Sequence, residues 1–292
     1  MAFVLGIDGG GTSCRAAVAT SGGKVVGRGT GGSANIRTDL SGARSSIVRA
    51  AELALADAGL APDLIAQTSA ILGLAGANVG TYAQQIEAIL PFKVSKVVTD
   101  ALIALEGAIG SGDGALAILG TGTAYMARRA GDVRAIGGWG FLIGDQGSGA
   151  RIGRDLLEET LLAHDGILPA SPLTDAVLAI YRNDPRDVVE FTTFAKPGDF
   201  GGFAPMVFEH AVNGDATARR IVERARQAIE ASLDALDPAP DAPLCLLGGM
   251  AQFFAPHLSK RYQSILRPAR QDALGGAVSM AARWFGEGGA DA

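Results

Sequence analysis

Apolar residues run or alternate over three short stretches at the start of the chain, 3–8, 14–20 and 24–30, with glycine-rich residues between them. Runs of this length, rich in small and β-branched apolar residues and bounded by turn formers, predict a three-stranded meander. From residue 40 to residue 58 the spacing becomes helical, with Ile47, Val48, Ala51, Leu55 and Ala58 on one face and Gly59 placed to stop the helix. Strand and helix spacing then alternate: strand 69–74, helix 81–90, strand 94–99, helix 101–109. The first third of the chain therefore reads βββαβαβα.

The same order restarts at Ala115, with strands expected over 115–119, 123–129 and 133–136. The turn Asp8-Gly9-Gly10-Gly11-Thr12 and the turn Gly120-Thr121-Gly122-Thr123 each follow the first strand of their half and begin 112 positions apart. Recurrence at that distance predicts an internal duplication. The second copy carries a helical insertion from Ala150 to about Leu236, then strands over 243–247 and 265–268, and a last helix over 273–285 with room to pack back on the first half. An apolar stripe along 216–236 (Ile221, Val222, Ala225, Ile229, Leu233, Leu236) reads as core packing or a subunit contact. Asp237-Pro238-Ala239-Pro240 reads as a turn. The expected fold is α/β, two duplicated lobes with an interdomain cleft for ligands: residues 1–110 joined by helix 273–286, and residues 111–272.

Composition narrows the partners. Of 292 residues 41 are Gly, about twice the usual ~7%, while charged residues at 19% fall below the usual ~25%. No Gly-X-Y period exists, which excludes collagen, and abundant Leu, Ile, Val and Ala exclude disorder. A net charge of -5 with no basic block argues against nucleic acid and anionic membrane surfaces as partners. Residues 64–86 are uncharged but carry Gln67, Thr68, Ser69, Asn78, Gln84 and Gln85, so no membrane helix is expected there and the expected location is cytoplasmic. Cys14 and Cys245 form neither a disulfide framework nor a CxxC pair and read as small core residues. His164, His210 and His257 lack ligand spacing.

The most informative local feature is strand-Asp-Gly-Gly-Gly-Thr. A carboxylate at the end of a buried strand, followed by residues without Cβ, brings backbone N–H groups up to a polyphosphate while Asp8 holds a hydrated Mg²⁺. Thr12 adds a hydroxyl, and Arg15 is near in sequence. A plain hairpin turn would use the same glycines. The echo at Gly120, Thr121, Gly122 and Thr123 favours function, since two such hairpins from duplicated lobes could grip one nucleotide's phosphates. A third pair, Gly248-Gly249, ends a strand and opens a helix, which suits an adenine ring or α-phosphate. Asp100 follows a β-branched strand end and precedes a helix, so it reads either as a general base or as the helix N-cap. Asp145 reads otherwise as a solvated loop residue and Trp139 as an aromatic anchor. Neither a Walker-type Gly-x-x-x-x-Gly-Lys-Ser/Thr nor a Gly-x-Ser-x-Gly elbow occurs, and Gly9-x-Gly11-x-x ends on Cys14 rather than Gly or Ala.

Four further segments, Gly32-Ser33-Ala34-Asn35, Val98-Thr99-Asp100-Ala101, Gly137-Gly138-Trp139-Gly140-Phe141 and Gly144-Asp145-Gln146-Gly147-Ser148-Gly149-Ala150, resemble a known motif series. It is that of bacterial glucosamine kinases and N-acetylglucosamine kinases of the BadF/BadG/BcrA/BcrD-type ATPase family, within the sugar kinase and actin superfamily. The resemblance spans nearly the whole chain. It implies actin-like, ribonuclease H-like lobes and ATP with Mg²⁺ as cofactors. Asp8, Gly10, Gly11 and Thr12 then match the first phosphate motif, Thr121 to Thr123 the second, and Gly248 with Gly249 the adenosine motif. Asp100 matches the catalytic aspartate, and Asn35, Gly138, Trp139 and Asp145 match sugar contacts. The implied activity is phosphorylation of the 6-hydroxyl of glucosamine or N-acetylglucosamine, with a homodimer compatible. Trp139 matches acetylglucosamine kinases and departs from some glucosamine kinases, which leaves the 2-substituent open. Two other classes share the fold. An activator ATPase would need cysteines placed for an iron-sulfur cluster, and a sugar sensor would need a DNA-binding extension, for which no basic helix is read. Fifteen of the 41 glycines fall in the motif loops, and the others are expected mostly in turns.

Overall fold

The computed structural model describes residues 2–286. In chain order it begins with strands β1 (Phe3–Gly9), β2 (Cys14–Thr20) and β3 (Val25–Gly31), helix α1 (Leu40–Asp57) and a 3-10 helix at Pro62–Gln67. There follow β4 (Ser69–Leu74), α2 (Tyr82–Ile89), β5 (Ser95–Thr99) and α3 (Asp100–Ile109). The second run comprises β6 (Gly114–Leu119), β7 (Thr123–Arg129) and β8 (Asp132–Gly137), then α4 (Gly149–His164), α5 (Pro172–Ile180), α6 (Pro185–Phe194) and α7 (Pro197–Gly201). It continues with α8 (Ala204–Val212), α9 (Ala216–Leu236), β9 (Leu244–Leu247), α10 (Ala251–Phe254) and α11 (Lys260–Ile265), and α12 (Ala273–Phe285) ends the described chain. Contacts gather these elements into two units, one made of the residues up to Gly112 with those from Pro268 onward, the other of Asp113–Arg267. Residues 268–272 go with the first unit because the N–H groups of Arg270 and Gln271 donate to the carbonyls of Ala108 and Gly107.

In the first unit the sheet order is β3-β2-β1-β4-β5, with β1, β2 and β3 antiparallel and β1, β4 and β5 parallel. The period of two divides the core cleanly. Leu5, Ile7, Cys14, Ala16 and Val18 face α1, where Ile47, Ala50, Ala51, Ala54 and Leu55 meet them. Val4, Ala17, Ala19 and Ile71 face the other way, against Ile103 of α3 and Ala277, Val278 and Ala281 of α12. The expected return of the last helix onto the first half is thus a sheet face covered by α12.

The second unit repeats the plan: sheet order β8-β7-β6-β9, with β6 antiparallel to β7 and parallel to β9. The expected strand over 265–268 does not form. Ile265 still belongs to α11, and pairing beside β9 shrinks to a single parallel bridge between Leu244 and Leu266, with Arg267 N donating to Leu244 O at 2.9 Å. Pro268 follows and has no N–H to extend a ladder. Helices α4 to α9 are the expected insertion, and all six residues of the α9 stripe are buried in this unit's own core. That decides for core packing over a subunit contact. Among the described residues no helix is long and apolar enough to cross a membrane.

Several glycines, most of them outside the motif loops, are not turn residues. Gly27, Gly29 and Gly31 alternate along β3, and a Cβ on any of them would collide with a carbonyl of α1 (Ala54, Ala50 and Ser46). Gly107 of α3 and Gly276 of α12 likewise let backbone meet backbone. Gly29→Ala is therefore expected to lower unfolding free energy by roughly 1–3 kcal/mol, the usual cost of overpacking a closed site. An unchanged urea midpoint for that variant would contradict the close approach of α1 to β3.

Candidate active site

In the first unit the predicted residues collect where the parallel strands β1, β4 and β5 end, the edge at which open α/β sheets bind ligands. Asp8 is the penultimate residue of β1 and pairs with Gly73 of β4, which pairs in turn with Val98 of β5, one residue before the Thr99-Asp100 corner. Beyond Gly9 the chain turns, closed by Gly10 N donating to Ser13 O at 2.9 Å, and Gly11 and Thr12 stand exposed at its tip. The Asn35 loop is tied to this turn: Ala34 N donates to Gly10 O at 2.9 Å, and Ile36 N donates to Ala75 O, whose own N–H reaches Gly9 O. Asn35 Oδ1 accepts from Arg37 N at 3.1 Å, so the side-chain oxygen shapes the loop.

Asp8 is not left alone at this edge. Its Oδ2 accepts from an Arg15 guanidinium nitrogen at 2.6 Å, and the other terminal nitrogen of Arg15 donates to Asp272 Oδ2 at 2.8 Å. Asp272 also caps α12 through Gly275 N. The first residue of α3 is Asp100, but the helix is capped one residue earlier, by the Thr99 hydroxyl accepting from Leu102 N at 3.2 Å. The N-cap reading of Asp100 is thereby corrected. Its Oδ1 accepts from Ala101 N at 2.9 Å. Although the residue opens to solvent, protein atoms crowd the carboxyl from the other sides. That desolvation, reinforced by the nearby Asp8 charge, pushes its pKa above the usual carboxylate range against the pull of the Ala101 bond.

In the second unit β6 runs into the turn Gly120-Thr121-Gly122-Thr123, closed by Gly120 N donating to Gly122 O at 2.9 Å. The turn is fastened on two sides. Gly149 N at the start of α4 donates to Gly120 O at 2.8 Å, and Met250 N donates to Leu119 O at 2.9 Å. Gly248 has a φ of +93°, and a Cβ there would collide with the Leu119 carbonyl, so only glycine fits. Gly249 faces open space. Thr121 is exposed, but Thr123 is buried, its N–H donating to Asp145 Oδ1 at 3.3 Å and its hydroxyl to Gln146 O at 3.4 Å. The expectation that Thr123 faces phosphate is corrected: its polar atoms are committed within the unit. Thr121 and Gly122 are the outward positions of this turn.

Asp145 is no solvated loop residue. Held at φ +56°, it lies against the turn so closely that a Cβ on Gly122 would come 2.7 Å from its Oδ2. Gly138 joins the same cluster, its N–H donating to Thr123 O at 2.9 Å. From there the loop projects Trp139, Leu142 and Ile143, 77%, 83% and 81% exposed, while Phe141 turns inward to Phe200 at 5.0 Å between ring centroids. Trp139 is therefore not a buried anchor.

Each unit thus brings its own set together: Asp8, Gly10, Gly11, Thr12, Asn35 and Asp100 in the first, Gly120 to Thr123, Gly138, Asp145, Gly248 and Gly249 in the second. Sequence reasoning missed the Arg15 bridge and Asp272. Position 272 carried a helix-start signal, Asp before an apolar helix, but nothing in the spacing linked it to Arg15. The donor set suits the implied magnesium: Asp8 presents a hard oxygen, and among the described residues no group of three or more His, Cys, Asp or Glu could hold a metal unaided. An ion kept mainly by water and phosphate oxygens needs no such cage. Cys14 and Cys245 are buried in β2 and β9, and burial with the Asp8 charge pushes the Cys14 thiol up to about 12.

Comparison with known proteins bears on the family and the fold. The glucosamine kinase GspK of Vibrio cholerae is 37% identical over 287 residues, 97% of each chain. A solved structure from Chromobacterium violaceum, provisionally described as an N-acetylglucosamine kinase, superposes with a TM-score of 0.81 at 30% identity, covering 95% of this chain and 98% of that one. The ROK hexokinase of Thermus thermophilus, at 17% identity and a TM-score of 0.53 over 96% of this chain and 97% of its own, shares the actin-like sugar kinase fold alone. The BadF/BadG/BcrA/BcrD ATPase family matches residues 5–268. The chain belongs to that family.

Proposed function

We propose that this chain is an ATP-dependent kinase that phosphorylates the 6-hydroxyl of an amino sugar, glucosamine or N-acetylglucosamine. Family membership supports use of ATP, and the Vibrio and Chromobacterium relatives support an amino sugar as acceptor. The observation that carries the reading is Asp100: a carboxylate at a strand end, relieved of the capping role by Thr99, with its pKa raised by crowding and by Asp8.

In this reading Asp100 accepts the proton of the sugar hydroxyl as its oxygen bonds to the γ-phosphorus, and the bond from phosphorus to the bridging oxygen of ADP breaks. Gly10, Gly11 and Thr12 shape one phosphate-binding turn and Gly120, Thr121 and Gly122 the other, with the exposed tips offering N–H and hydroxyl donors. Gly248 and Gly249 form a flat corner for adenosine. Asn35, Gly138, Trp139 and Asp145 contact the sugar; with the Asn35 oxygen held in its loop, the side-chain NH₂ is what it offers a hydroxyl. Asp8 would hold Mg²⁺ through water, and the ion would supply charge neutralisation for the phosphates. The activator reading is disfavoured by the burial of both cysteines, since cluster ligands must be thiolates and the Cys14 thiol is pushed the other way.

Sugar-dependent ADP release is the direct test, with stimulation expected from glucosamine, N-acetylglucosamine or both; no stimulation by any amino sugar or hexose would sink the proposal. Asp100→Asn should lower kcat by roughly 10²- to 10⁴-fold with sugar affinity little changed, the range for loss of a general base. In the unaltered enzyme the acidic limb of kcat/KM should lie above ~4, the ordinary carboxylate value.

The same carboxyl makes a stability prediction of opposite sense. A pKa higher in the folded than in the unfolded chain means that folding takes up a proton between the two values, so stability falls as pH rises through that window. Above it, ionised Asp100 costs stability. Asp100→Asn, which keeps the acceptor for Ala101 N, is expected to melt higher than the parent at pH 7 to 8, with the gap narrowing as pH falls toward ~4. A lower melting temperature at neutral pH would show that Asp100 is not under strain.

A further inference from the structure

Arg15 occupies a position that the kinase reading does not account for. It sits on β2 directly across from Asp8 on β1, two residues after the turn, so the two side chains project from the same face as cross-strand neighbours. That face is the one covered by α12, whose capping residue Asp272 meets the guanidinium from the other side. One planar fork therefore spans two carboxylates, 2.6 Å from Asp8 and 2.8 Å from Asp272. The reach from one carboxylate to the other depends on the spread of the two terminal nitrogens, which a lysine ammonium lacks. Asp272 is itself pinned, its second oxygen accepting from Gly275 N at 2.9 Å.

Two consequences follow from charge alone. With Oδ2 taken by Arg15, Asp8 keeps Oδ1 to face a metal's water shell. The positive charge beside Asp8 also offsets the carboxylate field that would otherwise draw a bare divalent cation, and it places a cation next to the Gly10-Gly11-Thr12 turn. A site built this way disfavours free metal and favours a polyphosphate, or the metal complex of one.

We propose that Arg15, anchored by Asp272, is a positioning residue of the nucleotide site that holds Asp8 by one oxygen and selects a nucleoside polyphosphate with its divalent ion over the free ion. The proposal rests on the kinase reading above. It predicts changes of opposite sign in two binding constants, neither of which requires turnover. In the full-length protein, Arg15→Gln should tighten binding of Mn²⁺ alone, followed by electron paramagnetic resonance, by about two- to fivefold, the scale of a partly exposed charge pair. The same substitution should weaken binding of ADP in excess EDTA, followed by calorimetry, by a similar factor. A merely structural role would loosen the turn and weaken both, and that outcome, or no change in either, overturns the proposal.

Asp272→Asn supplies a second arm, because Asn caps a helix as well as Asp does and the fold should tolerate it. With Arg15 no longer shared, Asp8 is more fully neutralised, so Mn²⁺ alone should bind more weakly and metal-free ADP more tightly. In an Arg15→Gln background most of that effect should vanish; full additivity would overturn the anchoring by Asp272. If the unaltered protein binds ADP neither with Mn²⁺ nor without it, the kinase reading falls and this proposal with it, an outcome distinct from failure of Arg15 alone.

Discussion

Contact of backbone with backbone between helix and sheet is the constraint on which the first unit rests. A sheet can present the ends of its parallel strands to a ligand only if both faces are closed, and here the closure is tighter than side chains would allow. Three glycines of β3 let the carbonyls of α1 descend onto the strand, Gly6 of β1 does the same for α12 at Val278, and Gly107 and Gly276 bring α3 and α12 together. Adding a Cβ at any of these places forces the layers apart. Since α3 carries Asp100 at its first turn and Asp272 caps α12, the spacing of those layers also sets where the charged groups of the site stand.

That placement creates an electrostatic problem. Asp8 and Asp100 are like charges near one sheet edge, and the charge of Asp8 makes ionisation of Asp100 harder. Two features reduce the cost without removing it. Asp100 lies in the first turn of α3, where the helix dipole favours an anion and Ala101 N donates to it. Asp8 is held by Arg15. The residual strain is borne by Asp100, whose pKa stays raised.

Much of this architecture was legible in the chain because periodicity reports which faces are buried, and the faces of β1, β2 and α1 are buried as their spacing requires. The helical insertion and the return of the last helix were legible for the same reason. The strand over 265–268 was misread because three residues of mixed pattern followed by a proline carry too little periodicity to separate the end of α11 from a strand. The role of the glycines was half legible. Glycine in a turn announces itself by its polar neighbours, whereas Gly27, Gly29 and Gly31 look like a weak strand until α1 lies on them. Thr123 shows the limit for the site: a Gly/Thr turn specifies that donors cluster, and only the position of Asp145 reveals which donors are already taken.

The two glycine-rich turns, alike in sequence and topology, carry opposite charged side chains. The first unit sets a cation, Arg15, on the carboxylate of Asp8; the second sets an anion, Asp145, on an amide of its turn. Both arrangements satisfy a strong polar group by a side chain of the complementary kind, which a folded chain without ligand requires, since an unpaired charge or N–H in a crowded place is costly. They differ in how firmly they do so. The Arg15 contacts are short and doubly anchored, whereas the bond donated by Thr123 N is 3.3 Å long and is accepted by Asp145, a residue held at positive φ. Of the two turns, then, the first is the more firmly held.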